Sequence, residues 1–229
     1  SDIIRWLREE RPETLQVLWE TADRVRSAEV GDEVHLRGLI EISNHCRRSC
    51  LYCGLRRENS GLRRYRMSEQ EILECALKAE ELGFGAVVLQ SGEDLWFDEG
   101  RIASIIRRIK ERTALAVTLS LGERRAEEYA LWQAVGADRY LLRFETSRSE
   151  LFERIHPPLE RGSAGRISLL RLLRRLGYET GGGVMVGIPG QTLEDLADDI
   201  LTFNRLELDM IGVGPYIPHP GTPLAAEPP

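Results

Sequence analysis

Val34-His35-Leu36-Arg37-Gly38-Leu39-Ile40-Glu41-Ile42-Ser43 runs without a break into Asn44-His45-Cys46-Arg47-Arg48-Ser49-Cys50-Leu51-Tyr52-Cys53-Gly54. In the first stretch Val34, Leu36, Leu39, Ile40 and Ile42 alternate well enough to predict a strand ending near Ser43. The second packs three cysteines into eight residues, at C-x-x-x-C-x-x-C spacing. A cysteine loop hung on the end of a strand organises the rest of the chain.

Downstream of the loop, helix and strand signals take turns. Ser68–Leu82 reads as a helix opened by a capping box, Ser68 with Glu71, and closed by Gly83. Ala86–Gln90 is a short apolar strand and Asp98–Arg112 a helix. Ala116–Leu121 is a strand, Glu123–Val135 a helix, and Arg139–Phe144 a strand. Residues 163–176 are helical, Gly183–Ile188 is a strand, Thr192–Leu206 a helix, and Met210–Ile217 a sixth strand. Helices alternating with strands predict βαβ units on a parallel sheet. The polar or Gly-rich residues Ser43, Gln90–Glu93, Ser120, Arg143–Glu145 and Gly187–Gly190 all fall at carboxyl ends of strands, where a (β/α) barrel places its site. The expected fold is therefore α/β: six units of a TIM-type barrel, partial or truncated relative to the eight of a closed one. A doubly wound sheet is the structural alternative. Upstream, residues 1–31 form an N-terminal helical extension punctuated by Pro12, and residues 32–229 form the barrel core.

Composition narrows the function classes. The 229 residues carry 31 basic and 37 acidic side chains, a net charge of −6, which argues against nucleic acid as a partner. A chain of this size buries roughly 70% of its unfolded surface and needs no disulfide staples. No apolar run approaches the ~18 residues of a membrane span, and Ser1–Arg11 is too charged for a signal peptide. Clustered cysteines without a secretory signal point to a metal or catalytic role in a reducing, cytoplasmic compartment. The chain opens without Met and ends in Glu-Pro-Pro, so a fragment of a longer protein is expected. Cys75, among Ile72, Ala76 and Ala79, is expected in the core. The seven arginines from Arg47 to Arg66 are expected to form a solvated face, with docking of an acidic electron donor or another acidic client as the alternative.

Structural zinc prefers four protein ligands, and this loop has three thiols, with His45 as a fourth only if adjacent residues converge on one ion. A 4Fe–4S cluster held by Cys46, Cys50 and Cys53 keeps one iron free for an outside ligand. The loop's spacing and its place after the first strand resemble the radical S-adenosylmethionine (SAM) superfamily. The resemblance implies that the free iron holds SAM and that cluster and SAM together yield a 5′-deoxyadenosyl radical. By position it makes Cys46, Cys50 and Cys53 the metal ligands and Tyr52 the aromatic residue near adenine. Gln90-Ser91-Gly92-Glu93 resembles the superfamily's Gly-Gly-Glu motif, with Ser91, Gly92 and Glu93 on the SAM amino group. Glu145 and Arg166 would hold SAM, and Gly187 would sit at the adenine-contacting turn.

Longer segments resemble the HydE-type FeFe-hydrogenase maturases. They include Ile42-Ser43-Asn44, Cys53–Arg57, Arg63–Arg66, Leu89–Asp94, Val117–Glu123, Ala137–Arg143, Leu176–Gly181 and Gly212–Leu224. That resemblance implies assembly of the diiron subcluster from a small organometallic iron–cysteine substrate. It also implies other hydrogenase maturases as partners and a low-potential electron donor of ferredoxin or flavodoxin type. Gln90, Ser91, Thr118 and Arg143 would line the substrate cavity. A biotin synthase-like or methylornithine synthase-like enzyme is the nearest alternative, and a non-catalytic iron–sulfur scaffold is an alternative from another class.

Overall fold

A computed structural model of the chain describes residues 2–159 and 165–227. Two helices lead: α1 (Asp2–Leu7) and α2 (Pro12–Val30). Next come β1 (Arg37–Ser43), α3 (Glu69–Glu81), β2 (Ala86–Ser91), α4 (Glu99–Arg112), β3 (Ala116–Ser120), α5 (Ala126–Ala134) and β4 (Arg139–Leu141). The chain continues through α6 (Ser149–Ile155), α7 (Arg166–Arg175), β5 (Glu179–Val186), α8 (Leu193–Leu206) and β6 (Met210–Pro215).

All adjacent strands pair parallel, in the order β1-β2-β3-β4-β5-β6. A doubly wound sheet reverses its order at a switch point, and no reversal occurs among the described strands. The sheet is six consecutive units of a (β/α) barrel. Side-chain alternation sends Ile40, Ile42, Val87, Leu89, Val117, Leu119, Tyr140 and Leu142 outward into one core under the helices. Ile102, Ile105, Ile106 and Ile109 of α4 meet them there, each fully or almost fully buried, a gain of about 1.5–3 kcal/mol per side chain. The alternate set, including Gln90, Thr118 and Ser120, faces the concave side.

Local chemistry sets the helix starts. Ser68 Oγ accepts from Glu71 N while the Glu71 carboxylate accepts from Ser68 N, and Thr192 with Asp195 repeats the arrangement. Asp98 caps α4. Among the described residues no helix is long and apolar enough to cross a membrane.

Several elements differ from expectation. β1 begins at Arg37, because β2 begins opposite it at Ala86; among the described residues Val34 and Leu36 have no ladder partner, and they stay exposed. The fifth helix starts three residues late, at Ala126, because Arg124 turns inward and donates to the carbonyls of Asp94 and Phe97. β5 extends back to Glu179, so Gly181–Gly183 lie inside the strand. α6 is too short for periodicity to announce. Residues 163 and 164 of the expected seventh helix lie outside the described residues. Cys75 is exposed, not core, since α3 turns Ile72, Leu73, Ala76 and Ala79 inward.

Candidate metal and cofactor site

The loop from Asn44 to Met67 is built to hold its cysteines still. Arg64 lies across it, donating Nη1 to the carbonyls of Asn44 (2.5 Å) and Leu55 (2.9 Å) and Nη2 to that of Arg56 (2.7 Å). The loop is tied to its surroundings by Arg47 N to Glu93 O (3.1 Å) and Leu51 N to Ile155 O (2.8 Å). The segment after β6 packs on it too: Leu224 N donates to Leu51 O, and a Cβ on Gly54 would meet the His219 ring at 2.7 Å.

The cysteines sit in distinct settings. Cys46 Sγ accepts N–H donors from Arg48 (3.5 Å) and Glu93 (3.4 Å). Burial pushes the Cys50 thiol up to about 12 and raises that of Cys53, so these two would be thiolates only where a metal compensates them. Sulfurs sharing one zinc at ~2.3 Å stand under about 4 Å apart. Among the described residues, the ligand atoms close enough to share a single ion belong to Glu93, Glu123 and His156, not to the cysteines or His45. Three thiols on one loop, one fewer than a fully protein-ligated 4Fe–4S cluster takes, suit a cluster with a corner free.

Behind the cysteines lies a buried ion network. Arg48, 2% exposed, donates Nε to Glu93 Oε2 (2.6 Å) and places Nη2 2.7 Å from Glu123 Oε2. Arg166 donates Nε to Glu123 Oε1 (3.0 Å) and Nη1 to Arg143 O (2.6 Å), with Nη2 2.7 Å from His156 Nε2. Burial, then the cations of Arg166 and Arg48, lower the His156 pKa to about 3, so the ring is neutral and accepts from Arg166. Two arginines and two glutamates balance in charge. That matters because an unpaired buried charge is costly.

In front of the loop, Tyr52 Oη donates to Glu145 Oε1 (3.2 Å), and Arg143 donates Nε and Nη2 to Glu145 Oε2 (3.2 and 3.1 Å). Arg143 Nη2 also donates to Val184 O (2.7 Å), fixing its fork over β5. Glu145 holds a left-handed backbone (φ 60°), unusual for a residue other than glycine; such strain costs about 1–3 kcal/mol and gathers at ligand sites. Thr118 is buried, and among the described residues its Oγ1 has no hydrogen-bond partner.

The structure brings together Cys46, Cys50, Cys53, Tyr52, Gly92, Glu93, Arg143, Glu145 and Arg166. The Glu93 side chain is engaged by Arg48, and Ser91 Oγ donates to Gly92 O (2.6 Å). Gln90 and Thr118 share the concave face. Gly187 stands apart: its N–H is taken by Gln191 Oε1 (2.8 Å). Sequence reasoning missed Arg48, Glu123 and His156. It also put Arg48 and Arg64 on a solvated face, yet one is buried and the other is bonded to loop carbonyls. Nothing in the sequence separates Arg48 from exposed Arg47 beside it.

A family model described as the Radical SAM superfamily matches residues 40–203. The chain is 50% identical over 212 residues to the [FeFe] hydrogenase maturase subunit HydE of Thermotoga maritima, covering 93% of this chain and 60% of that protein. It is 28% identical over 226 residues to 3-methylornithine synthase of Methanosarcina acetivorans, covering 98% of this chain and 63% of that protein. A crystal structure of methylornithine synthase (PylB) superposes with a TM-score of 0.91 at 27% identity, over 99% of this chain and 67% of that one. The chain thus spans about three fifths of the length of the curated relatives it matches.

Proposed function

The chain belongs to the radical SAM superfamily, and we propose that it cleaves SAM reductively in the service of FeFe-hydrogenase maturation, building the diiron subcluster. The observation that carries this reading is the cysteine loop: three thiols at C-x-x-x-C-x-x-C spacing, held by Arg64 and by backbone bonds, with Tyr52 donating to Glu145 beside Arg143. Half-identity to a hydrogenase maturase supports the choice of maturation within the superfamily.

Cys46, Cys50 and Cys53 would hold a 4Fe–4S cluster. When bound, the cluster and SAM supply an electron transfer that breaks the C5′–S bond, giving methionine and a 5′-deoxyadenosyl radical. The protein's part is to bind, orient and exclude water. Glu145 offers carboxylate oxygens to a ribose diol, and Tyr52 closes the adenine side. Arg166, now held by Glu123, His156 and the Arg143 carbonyl, would share its fork with the SAM carboxylate, while Gly92 would let the amino group approach backbone carbonyls. Arg143 at the strand end suits an anionic iron–cysteine substrate, with Gln90, Ser91 and Thr118 lining the concave face around it. Its partners would be the other hydrogenase maturases and a low-potential electron donor, in the cytoplasm.

The test is anaerobic reconstitution. Dithionite-reduced protein should release 5′-deoxyadenosine from SAM, and Cys50→Ala should abolish that release. Product persisting in the variant would defeat the assignment. The complete gene should also restore hydrogenase activity to a strain lacking its maturase. Failure there, with SAM cleavage intact, would move the assignment to carbon-skeleton chemistry of the methylornithine synthase kind.

A further inference from the structure

We propose that the outer face of the cysteine loop docks an acidic one-electron carrier protein, seated on the Leu95–Trp96 pair and held by the arginines around it. This rests on the cysteine loop holding a redox cluster, as proposed above.

Charge distribution is the first support. Residues 44–66 contain seven arginines and one glutamate, a net of 7 − 1 = +6 within a chain of net −6. Arg48 is buried against Glu93 and Glu123 and Arg66 pairs with Asp94, so five arginines and Glu58, a net of 5 − 1 = +4, remain to make the cysteine loop a positive island on a negative protein. Such an island steers an acidic partner to one face and repels it elsewhere.

The local surface is the second. A cleft of about 520 Å³ opens beside the loop, and Cys46 lines it together with Arg47, Arg57, Arg64, Arg66 and Trp96. Glu93 and Asp94 also line it, but each is paired, with Arg48 and with Arg66. Leu95 and Trp96 are 53% and 42% exposed. The guanidinium of Arg66 stands 5.5 Å from the Trp96 ring and that of Arg101 4.4 Å from it. An exposed tryptophan ringed by arginines has the residue types that dominate protein interfaces.

Cys46 decides the kind of partner. A nucleic acid or lipid surface would match the charge but has no use for a metal-ligating sulfur in the cleft wall. A redox protein does, because its own centre comes close to a thiolate bonded to iron. In the step, the carrier loses one electron and the cluster gains one; no bond in this chain changes and no proton is transferred. Arg143 and Glu145 do not line this cleft, so carrier and substrate need not compete.

The experiment uses the reconstituted protein and a reduced ferredoxin of net negative charge as probe. Arg47→Glu/Arg57→Glu and Trp96→Ala are compared with the parent in two readouts: binding by calorimetry, and cluster reduction by stopped-flow bleaching. The double reversal should weaken binding and slow ferredoxin-driven reduction about ten-fold or more. It should also flatten the salt dependence of both and leave reduction by dithionite unchanged. Trp96→Ala should raise the dissociation constant with little change in salt dependence. Ferredoxin binding and reduction unaltered in the double variant, with dithionite reduction intact, overturns the docking face alone. A parent protein that dithionite cannot reduce overturns the cluster reading and this proposal with it.

Discussion

Gly92 lies against Cys46 so closely that a Cβ at residue 92 would stand 2.6 Å from the Cys46 Cβ, and nearer still to the carbonyl oxygen of His45. The end of β2 and the start of the cysteine loop share one van der Waals surface. Gly92→Ala must push the first cysteine away, and Cys46 also takes its N–H from Glu93 next door. The variant should fold but load less than half the parent's iron on reconstitution. Iron content equal to the parent's would show that the loop has slack.

Arg48 is the hinge pin of the buried network. Arg48→Met removes the cation that faces both Glu93 and Glu123. Breaking a buried pair by deleting one partner costs about 3–5 kcal/mol, so urea denaturation should show a loss of that order. Truncating an exposed neighbour, Arg47→Met, should cost under about 0.5 kcal/mol. Similar losses for the two would mean that Arg48 is not compensating buried charge.

Glu145→Gln keeps the shape of the side chain and removes its charge. The amide oxygen can still accept from Arg143 while the amide NH2 donates to Tyr52 Oη, so the fold and the cysteine loop should persist. SAM affinity should fall roughly ten- to a hundred-fold through loss of a charge-assisted bond, worth roughly 1.5–3 kcal/mol. Iron content should not change. Parent-like SAM binding by equilibrium dialysis would remove Glu145 from the ribose.

His156 gives the protein an acid-side weakness. Burial and the adjacent Arg166 and Arg48 hold its pKa near 3, against 6.5 for the free side chain. Below pH 6.5 the unfolded chain takes up a proton that the folded ring refuses. Its contribution to stability is therefore full above about pH 6.5 and is lost as pH falls toward 3. Between about pH 7 and pH 5 the loss is on the order of 2 kcal/mol. His156→Gln, which still accepts from Arg166, should be less sensitive to pH over that range in urea titrations. An unchanged slope would assign the acid sensitivity to other groups.

The fold was legible wherever its signals were local. The capping boxes at Ser68/Glu71 and Thr192/Asp195 form as expected because their partners lie three residues apart on one turn. Strand ends were less legible. β1 starts at Arg37 and not Val34 because its length is set by where β2 begins, a fact about another segment. Cys75 was misjudged because its small apolar neighbours do not say which side of α3 meets the sheet.

The site divides along the same line. Sequence alone determined that three thiols share one loop at the end of the first strand. It also determined that Tyr52 precedes the last of them, and that polar residues crowd the strand ends. Those are properties of spacing, and covalent geometry transmits spacing directly. Tertiary structure decided that Arg48 turns inward while Arg47 turns out. It also decided that Glu93, Glu123, His156 and Arg166, drawn from four separate stretches of chain, close with Arg48 into one neutral buried network. The reason is physical: a charge enters the interior only where opposite charges arrive to meet it, and their arrival is a property of the packed sheet, not of any one segment.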